Sequence, residues 1–238
     1  MKIKTAYLAI LAFLSCQFAF ATNLKTAFIQ MPDSIMPLLT RNDRMDFLDY
    51  MDNGMTPKVR NRLGGESVMS FMDGSHLTVQ VTNESVFDMF LLEKKDGSTL
   101  ICVINTVNPG YADSRIGFYD DAWNSVASEQ FLERPSLGDF ITPKALKQDS
   151  VNVLFDQSLL RLSSAEYRDG SLFFRYTSLG YIGEDAIKFQ DYFRQDPIEY
   201  RWNGKRFRHR QHRRGRKDGN GTESARKRPF HLHCLRTG

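Results

Sequence analysis

Apolar and polar positions are arranged most tellingly between Val86 and Val107, VFDMFLLEKKDGSTLICVINTV. Two apolar runs flank Asp96-Gly97, a dipeptide that tolerates the positive φ angles of a type I′ hairpin turn. With Asp96 and Gly97 as a two-residue loop, Lys95 faces Ser98, Leu92 faces Ile101, Leu91 faces Cys102, Phe90 faces Val103 and Met89 faces Ile104. Every central pair is apolar, and successive pairs point to opposite faces. Strands apolar on both sides need cover above and below, so this hairpin is predicted to lie inside a sheet and not at its edge.

The same punctuation recurs. Asp-Gly-Ser also occurs at 73–75 and 169–171. The first joins 67–72 to SHLTVQV (75–81) and sets His76 opposite Phe71. The other joins 160–168 to SLFFRYT (171–177), with Tyr167/Leu172, Ala165/Phe174 and Ser163/Tyr176 on one face. The opposite face carries Glu166, Ser164 and Arg175, so that hairpin is wet on one side. RIGFYD (115–120) reads as a strand after the Asn108-Pro109-Gly110 turn. Ile198, Tyr200 and Trp202 alternate up to Asn203-Gly204, a further hairpin signal that places Phe207 opposite Tyr200.

Helical spacing appears earlier in the chain. Asn42 or Asp43 can cap a helix with Met45, Leu48 and Met51 on one face, closed by Asn53-Gly54. Thr56-Pro57 predicts a second helix with Val59 and Leu63 on one side, stopped by Gly64-Gly65. Thr142-Pro143 repeats that opening near a second block starting at Ser136. EDAIKFQDYFR (184–194) fits a helix carrying Ala186, Phe189 and Phe193. The expected fold is α+β: short N-terminal helices packed on a mostly antiparallel sheet, with two helix-plus-meander halves (28–125 and 136–207) suggested inside one domain, 22–207.

Charge changes the picture at the C-terminal end. From Lys205 onward the chain has 12 Lys and Arg against two acidic residues, leaving 20 basic and 26 acidic residues in 1–204. The body is mildly acidic and the basicity is confined to the tail, 208–238. Three readings compete for it: a basic arm for nucleic acid or anionic lipid, an ordinary disordered tail, or a frameshifted ending. The pattern breaks inside a hairpin that needs its next residues for pairing, which favours the frameshift. An acidic body and a tail with no stacking platform disfavour nucleic acid.

Residues 1–21 have the layout of a secretory signal peptide: Lys2 and Lys4, an apolar run from Ala6 to Leu14, and Ala19-Phe20-Ala21 before Thr22. The run is too short for a stable membrane span. Phe13-Leu14-Ser15-Cys16 loosely resembles a lipoprotein box, which would acylate Cys16, but its Phe and Leu suit such a box poorly. Both routes take the chain out of the cytoplasm, to the periplasm or beyond, with no transmembrane segment after cleavage. Of the cysteines, Cys16 leaves with the signal and Cys234 lies in the tail. Cys102 stands alone in the most apolar strand, as a small buried hydrophobe or a reactive thiol, and no disulfide framework follows.

Candidate chemistry is sparse. No GxSxG, HExxH, CxxC, Walker or GxGxxG motif is present, so no catalytic residue, metal ligand or cofactor is assigned. His76, the one histidine outside the tail, reads as a surface residue flanking a hairpin. Asp43, Asp46, Asp49 and Asp52 form a ladder that a divalent cation could use. Its i,i+3 spacing drifts around the helix, so a solvated acidic face steadied by Lys58, Arg60 and Arg62 is the better reading. The polar run 108–115 lies between strong strands, and Tyr111, Asp113 and Arg115 are the candidate binding loop. Carboxylate pairs for sugar hydrolysis have a three-dimensional spacing that sequence does not reveal.

Three stretches, MPDSIMPLLTRNDRMDFLDYMDNGM (31–55), DGSTLICVINTV (96–107) and ADSRIGFYDDAW (112–123), resemble a family of exported Bacteroidales proteins catalogued as domain of unknown function 3256. The resemblance covers about 28–207. It implies export in a Gram-negative host and an ordinary strand where the basic tail begins; no activity is assigned to the family, so no site residue carries over. In such bacteria Asp-Ser before an apolar residue can mark O-glycosylation, and Ser34 and Ser150 fit. The functional expectation is a non-catalytic periplasmic or surface binding module, its partner a protein or glycan of the cell envelope. The alternative is a carboxylate-dependent hydrolase of glycan or peptidoglycan.

Overall fold

In the computed structural model, which describes residues 22–147, 161–185 and 189–210, the Asp96-Gly97 hairpin is central. Its strands, β4 (Ser85–Glu93) and β5 (Thr99–Val107), sit in a seven-stranded antiparallel meander that runs in chain order. The flanking strands are β1 (Lys58–Arg60), β2 (Glu66–Met72) and β3 (His76–Thr82) on one side, β6 (Asp113–Tyr119) and β7 (Ser125–Val126) on the other. Phe90, Leu92, Ile101 and Val103 are at most 2% exposed. Met89, Ile101 and Val103 face a core shared with the N-terminal helices, whereas Phe90, Leu92 and Cys102 face a core shared with a second sheet. Each fully buried side chain of this size contributes about 1.5–3 kcal/mol, so both covers are needed.

The register differs from expectation by one residue. Leu92 pairs with Leu100, Leu91 with Ile101 and Phe90 with Cys102. The loop has three residues, Lys95 to Gly97: the Gly97 N–H donates to the Lys94 carbonyl (3.0 Å) and Gly97 takes φ +80°. A type I turn followed by a left-handed glycine is the usual three-residue solution. The slip leaves the architecture intact because both faces are apolar.

The first helix, α1 (Leu24–Gln30), is capped by Asn23, and α2 (Arg41–Asp52) by Thr40. Asp43 is the third residue of a capping box with Thr40, so the helix starts earlier than an Asn42 or Asp43 cap would place it. Its buried side is Arg44, Phe47 and Leu48, while Met45 is 41% exposed. The Arg44 guanidinium, 1% exposed, meets Asp33 (3.0 Å) and the carbonyls of Leu39 and Met31, stitching the 31–39 segment to α2. Burial lowers its pKa, against the pull of Asp33. Asp46, Asp49 and Asp52 are exposed. The cations expected beside them go elsewhere: Lys58 pairs with Glu66 and Arg62 with Asp33, while Lys25 meets Asp52 (2.6 Å).

The helix expected after Thr56-Pro57 is replaced by an edge strand and a turn. β1 alternates exposed, buried, exposed and pairs with β2. The Asn61 side chain, buried, accepts from the N–H groups of Leu63 and Gly65 and donates to the Val81 carbonyl. Leu63 is 73% exposed. Asn61 thus supplies the turn with hydrogen bonds a helix would have made along its axis, and Gly64-Gly65 closes a hairpin.

The second sheet has the order β11–β10–β9–β8, with β8 (Ser163–Arg168), β9 (Ser171–Tyr176), β10 (Ile198–Trp202) and β11 (Phe207–His209). The β8–β9 register is the expected one, with Asp169 and Gly170 at φ 51° and 76° as a type I′ loop. Glu166 and Arg175 are exposed, so this hairpin is wet on one face. In β10–β11 the pairing is Trp202 with Phe207 and Tyr200 with His209, two residues from the predicted register, because Asn203 pairs with Arg206 around Gly204-Lys205. Between the sheets lie α3 (Leu137–Phe140), capped by Ser136 and Asp139, and a 3-10 turn at Ala145–Lys147. Of the helix expected over 184–194, residues 186–188 lie outside the described residues; Phe189 is helical, 3-10 turns occupy Ser178–Asp185 and Gln190–Tyr192, and Phe193 is extended, bridged to Ile141. Ala186 lies outside the described residues, as do the signal segment with Cys16, Ser150 and the tail from 211.

Candidate functional site at the hairpin end

In an antiparallel meander every second turn falls at the same end, so the turns at 73–75 and 94–98 are neighbours. The Leu91 N–H donates to the Ser75 carbonyl (2.8 Å). The second sheet brings its own turns to the same place. Lys95 N–H donates to the Gly204 carbonyl (2.9 Å), Trp202 N–H to the Gly170 carbonyl (3.0 Å), and the Trp202 indole Nε1 to the Glu93 carbonyl (2.8 Å). A Cβ on Gly204 would come within 2.7 Å of Lys95 Cγ, so only glycine allows this approach. All three Asp-Gly-Ser triplets and Asn203-Gly204 therefore converge.

The turns at 94–98, 169–170 and 203–204 border an open depression of about 470 Å3, lined by Tyr167, Trp202, Glu93, Lys94 and Lys95 among others. Tyr167 is the wall between this depression and a second polar cluster. Its ring stacks on Phe90 (centroids 3.7 Å, 7°) and meets the edge of His76 (5.3 Å, 82°). Burial pushes its phenol pKa up. Phe71, 45% exposed, leans on the other side of the imidazole at 5.1 Å.

His76 is half-buried, and not the surface residue its sequence position suggested. Its Nε2 lies 3.1 Å from Asp88 Oδ1 and 3.3 Å from Thr78 Oγ1, and the Thr78 hydroxyl donates to the same carboxylate oxygen at 2.6 Å. Contact with an ionised carboxylate assigns the proton to Nε2. The Thr78 hydroxyl and the imidazole thus meet on one carboxylate oxygen, and the three side chains form a single hydrogen-bonded cluster. Asp73 stands beside it. Its partial burial would raise the carboxyl pKa, but the N–H groups of Ser75 and His76 and the Ser75 hydroxyl hold it below the usual range. Cys102 is fully buried, and burial with the nearby Asp88 charge pushes its thiol well above the ordinary value, so the inert reading holds.

The loop singled out by sequence, 108–115, belongs to the opposite end. Tyr111, 38% exposed, packs on Tyr181 (4.8 Å) and over Gly180. Asp113 accepts from the Ser163 N–H (3.2 Å) and Ala112 from the Thr177 hydroxyl (2.6 Å), so this segment joins the two sheets. Arg115 is exposed on β6 opposite Asn105, apart from both. Among the described residues no group of three or more His, Cys, Asp or Glu side chains could hold a metal ion, and no helix is long and apolar enough to cross a membrane. The hairpin end was not legible while each triplet was read only as the turn of its own hairpin. Their spacing by two strands was the usable signal.

A search of curated proteins finds no sequence match. Among solved structures, a domain of an uncharacterized protein from Porphyromonas gingivalis W83 superposes with a TM-score of 0.70 at 23% identity, covering 79% of this chain and 97% of that one. At that identity the likeness shows the fold alone. The family model described as protein of unknown function (DUF3256) matches residues 16–207, and the chain belongs to that family.

Proposed function

We propose that the protein is an exported, non-catalytic binding module of the cell envelope that takes a glycan at the hairpin end. The observation that carries this is the convergence of three turns around an open depression whose walls combine the aromatic rings of Tyr167 and Trp202 with Lys94 and Lys95. Sugar rings are bound by apolar ring faces together with hydrogen-bonding groups placed at the edge, and this surface offers both. The rival, a carboxylate-dependent hydrolase, needs two carboxyl groups across one cleft. Among the described residues Glu93 is the one carboxylate lining this depression, which favours binding over hydrolysis.

The test uses tryptophan emission of the full chain. Trp202 lines the depression, and Trp123, 8% exposed in the other core, gives a constant background. Titration with soluble peptidoglycan fragments and envelope oligosaccharides is expected to change the emission saturably, and Lys94→Ala with Lys95→Ala to weaken that response. A flat titration, or release of cleaved sugar, overturns the reading.

Two supporting inferences concern the chain as a whole. Thr40 with Asp43 and Ser136 with Asp139 each form a capping box ahead of an antiparallel meander, in keeping with two related helix-plus-meander units. The family match stops at 207, where the composition turns basic, in keeping with a frameshifted 208–238. Resequencing decides this: the other frame should encode an alternating apolar strand. Export rests on the 1–21 pattern, and Ser34, exposed beside Asp33, is a candidate glycosylation site.

A further inference from the structure

Phe71 is a phenylalanine turned away from the core by its own strand. In β2, Met69 pairs with Val79 and points into the core shared with the N-terminal helices. A regular ladder would set Phe71 opposite Leu77, on that same buried face. A register shift between Met69 and Phe71 sets it opposite Thr78 instead, on the face that carries His76, and leaves it 45% exposed. An inserted residue of this kind re-aims a side chain at the expense of local pairing, and here it forfeits the burial of an aromatic ring.

The re-aimed ring completes a row that crosses the strands. Phe71 on β2 lies 5.1 Å from His76 on β3, and His76 lies 5.3 Å from Tyr167, which is stacked on Phe90 of β4. Tyr167 in turn lines the hairpin-end depression together with Trp202. Each step is close to the spacing of adjacent strands and to the length of one sugar ring in an extended chain. A hydrogen-bonding group stands at the far end of the row. Asp73 takes the N–H groups of Ser75 and His76 and the Ser75 hydroxyl on Oδ1. Among the described residues its Oδ2 makes no hydrogen bond, so it remains an acceptor for a hydroxyl.

We infer that the glycan site continues from the depression to Phe71, and that its ligand is an unbranched oligosaccharide lying along Trp202, Tyr167, His76 and Phe71. This rests on the hairpin-end reading and adds to it a chain length and a second subsite. Phe71 supplies the ring face there and Asp73 the acceptor at its edge, the same pairing of apolar face and polar edge that the depression offers. A disaccharide is accommodated by the depression alone and leaves Phe71 untouched. A longer chain covers the ring that the register shift exposes.

The experiment separates soluble peptidoglycan strands and envelope oligosaccharides into di- and tetrasaccharides and titrates each against the full chain, with tryptophan emission as the readout. The tetrasaccharide should bind about tenfold more tightly than the disaccharide, and Phe71→Ala should remove that gain while disaccharide affinity stays the same. Phe71→Tyr keeps a ring face and should retain the gain. Phe71→Leu keeps apolar bulk without a ring and should lose it. Intact disaccharide binding shows that a variant is folded, so a loss confined to the tetrasaccharide reports the subsite. Equal affinity for both lengths in the wild type, or a gain that survives Phe71→Ala, overturns the extension and leaves the depression standing. A Phe71→Ala variant that loses the disaccharide as well makes Phe71 part of the scaffold and overturns it too. No response to either length of either glycan removes the hairpin-end reading, and the extension falls with it.

Discussion

The hairpins at Asp96-Gly97-Ser98 and Asp169-Gly170-Ser171 have the same three residues and different turns. At 169 Asp and Gly both take positive φ, and the loop has two residues. At 96 only the glycine does, and the loop has three. The serine decides between them. Ser98 donates its N–H (2.9 Å) and hydroxyl (2.6 Å) to the Asp96 carboxylate, which holds Asp96 in a turn of its own making. Ser171 is 2% exposed and gives its hydroxyl to Glu199 on β10 (2.9 Å), leaving Asp169 free to enter the left-handed region. A neighbouring strand thus overrides a local motif. The first triplet follows the Asp96 pattern: Asp73 accepts from Ser75 at its N–H and hydroxyl.

The two hairpins also differ in cover, and this gives the largest expected effect. Phe90 is fully buried between sheets, whereas Phe173 is half-buried on the wet face under the Arg168 guanidinium (4.4 Å). Phe90→Ala should cost about 3–5 kcal/mol. Phe173→Ala should cost about 0.5–1 kcal/mol, the range of an exposed cation–π contact. Urea unfolding of both variants checks this. Similar losses would mean that the β8–β9 face is covered in solution.

Next comes the serine itself. Ser171→Ala removes one of the two hydrogen-bonding partners of Glu199 and should cost about 1–2 kcal/mol at neutral pH, against a few tenths for Ser98→Ala on the exposed turn. The pH dependence sharpens the contrast. Burial would raise the Glu199 pKa, but the Ser171 hydroxyl and Arg210 (3.2 Å) bring it below the ordinary value. A carboxyl with a lowered folded pKa contributes stability above its unfolded pKa and loses it as pH falls through the folded one. The gap between wild type and Ser171→Ala should therefore narrow on acidification below about pH 4.5. A gap constant from pH 7 to 3 would assign the loss to packing instead.

These differences explain what the sequence could and could not convey. The β8–β9 register was legible because type I′ geometry is the default for Asp-Gly and nothing local opposed it. The β4–β5 strands, their burial on both faces and their central place were legible from apolar pairs alone; their register was not, since Ser98 capture of Asp96 adds a loop residue. The 58–60 strand was misread as helix because Asn61 makes its turn through contacts with Val81, twenty residues away. Arg44 gave no periodic signal, and its burial depends on Asp33 and carbonyls of another segment. The hairpin-end surface is a product of topology: His76 meets Asp88 once β3 and β4 pair, and Tyr167 only when the second sheet closes over the first.

The smallest effect is the most direct test of the serine argument. Asp96 is fully exposed, and its carboxyl is held below the ordinary value by the Ser98 hydroxyl and N–H. The Ser98 amide proton should therefore titrate with Asp96, shifting upfield as the carboxylate is protonated at a pH below that of an unperturbed aspartate. The Ser171 amide, which has no such acceptor in Asp169, should not follow Asp169. Proton–nitrogen correlation spectra recorded from pH 7 to 2 report both amides at once. If Ser171 moves with Asp169 as strongly as Ser98 moves with Asp96, side-chain capture cannot be what separates the two turns, and the choice of loop length must come from the flanking strands alone.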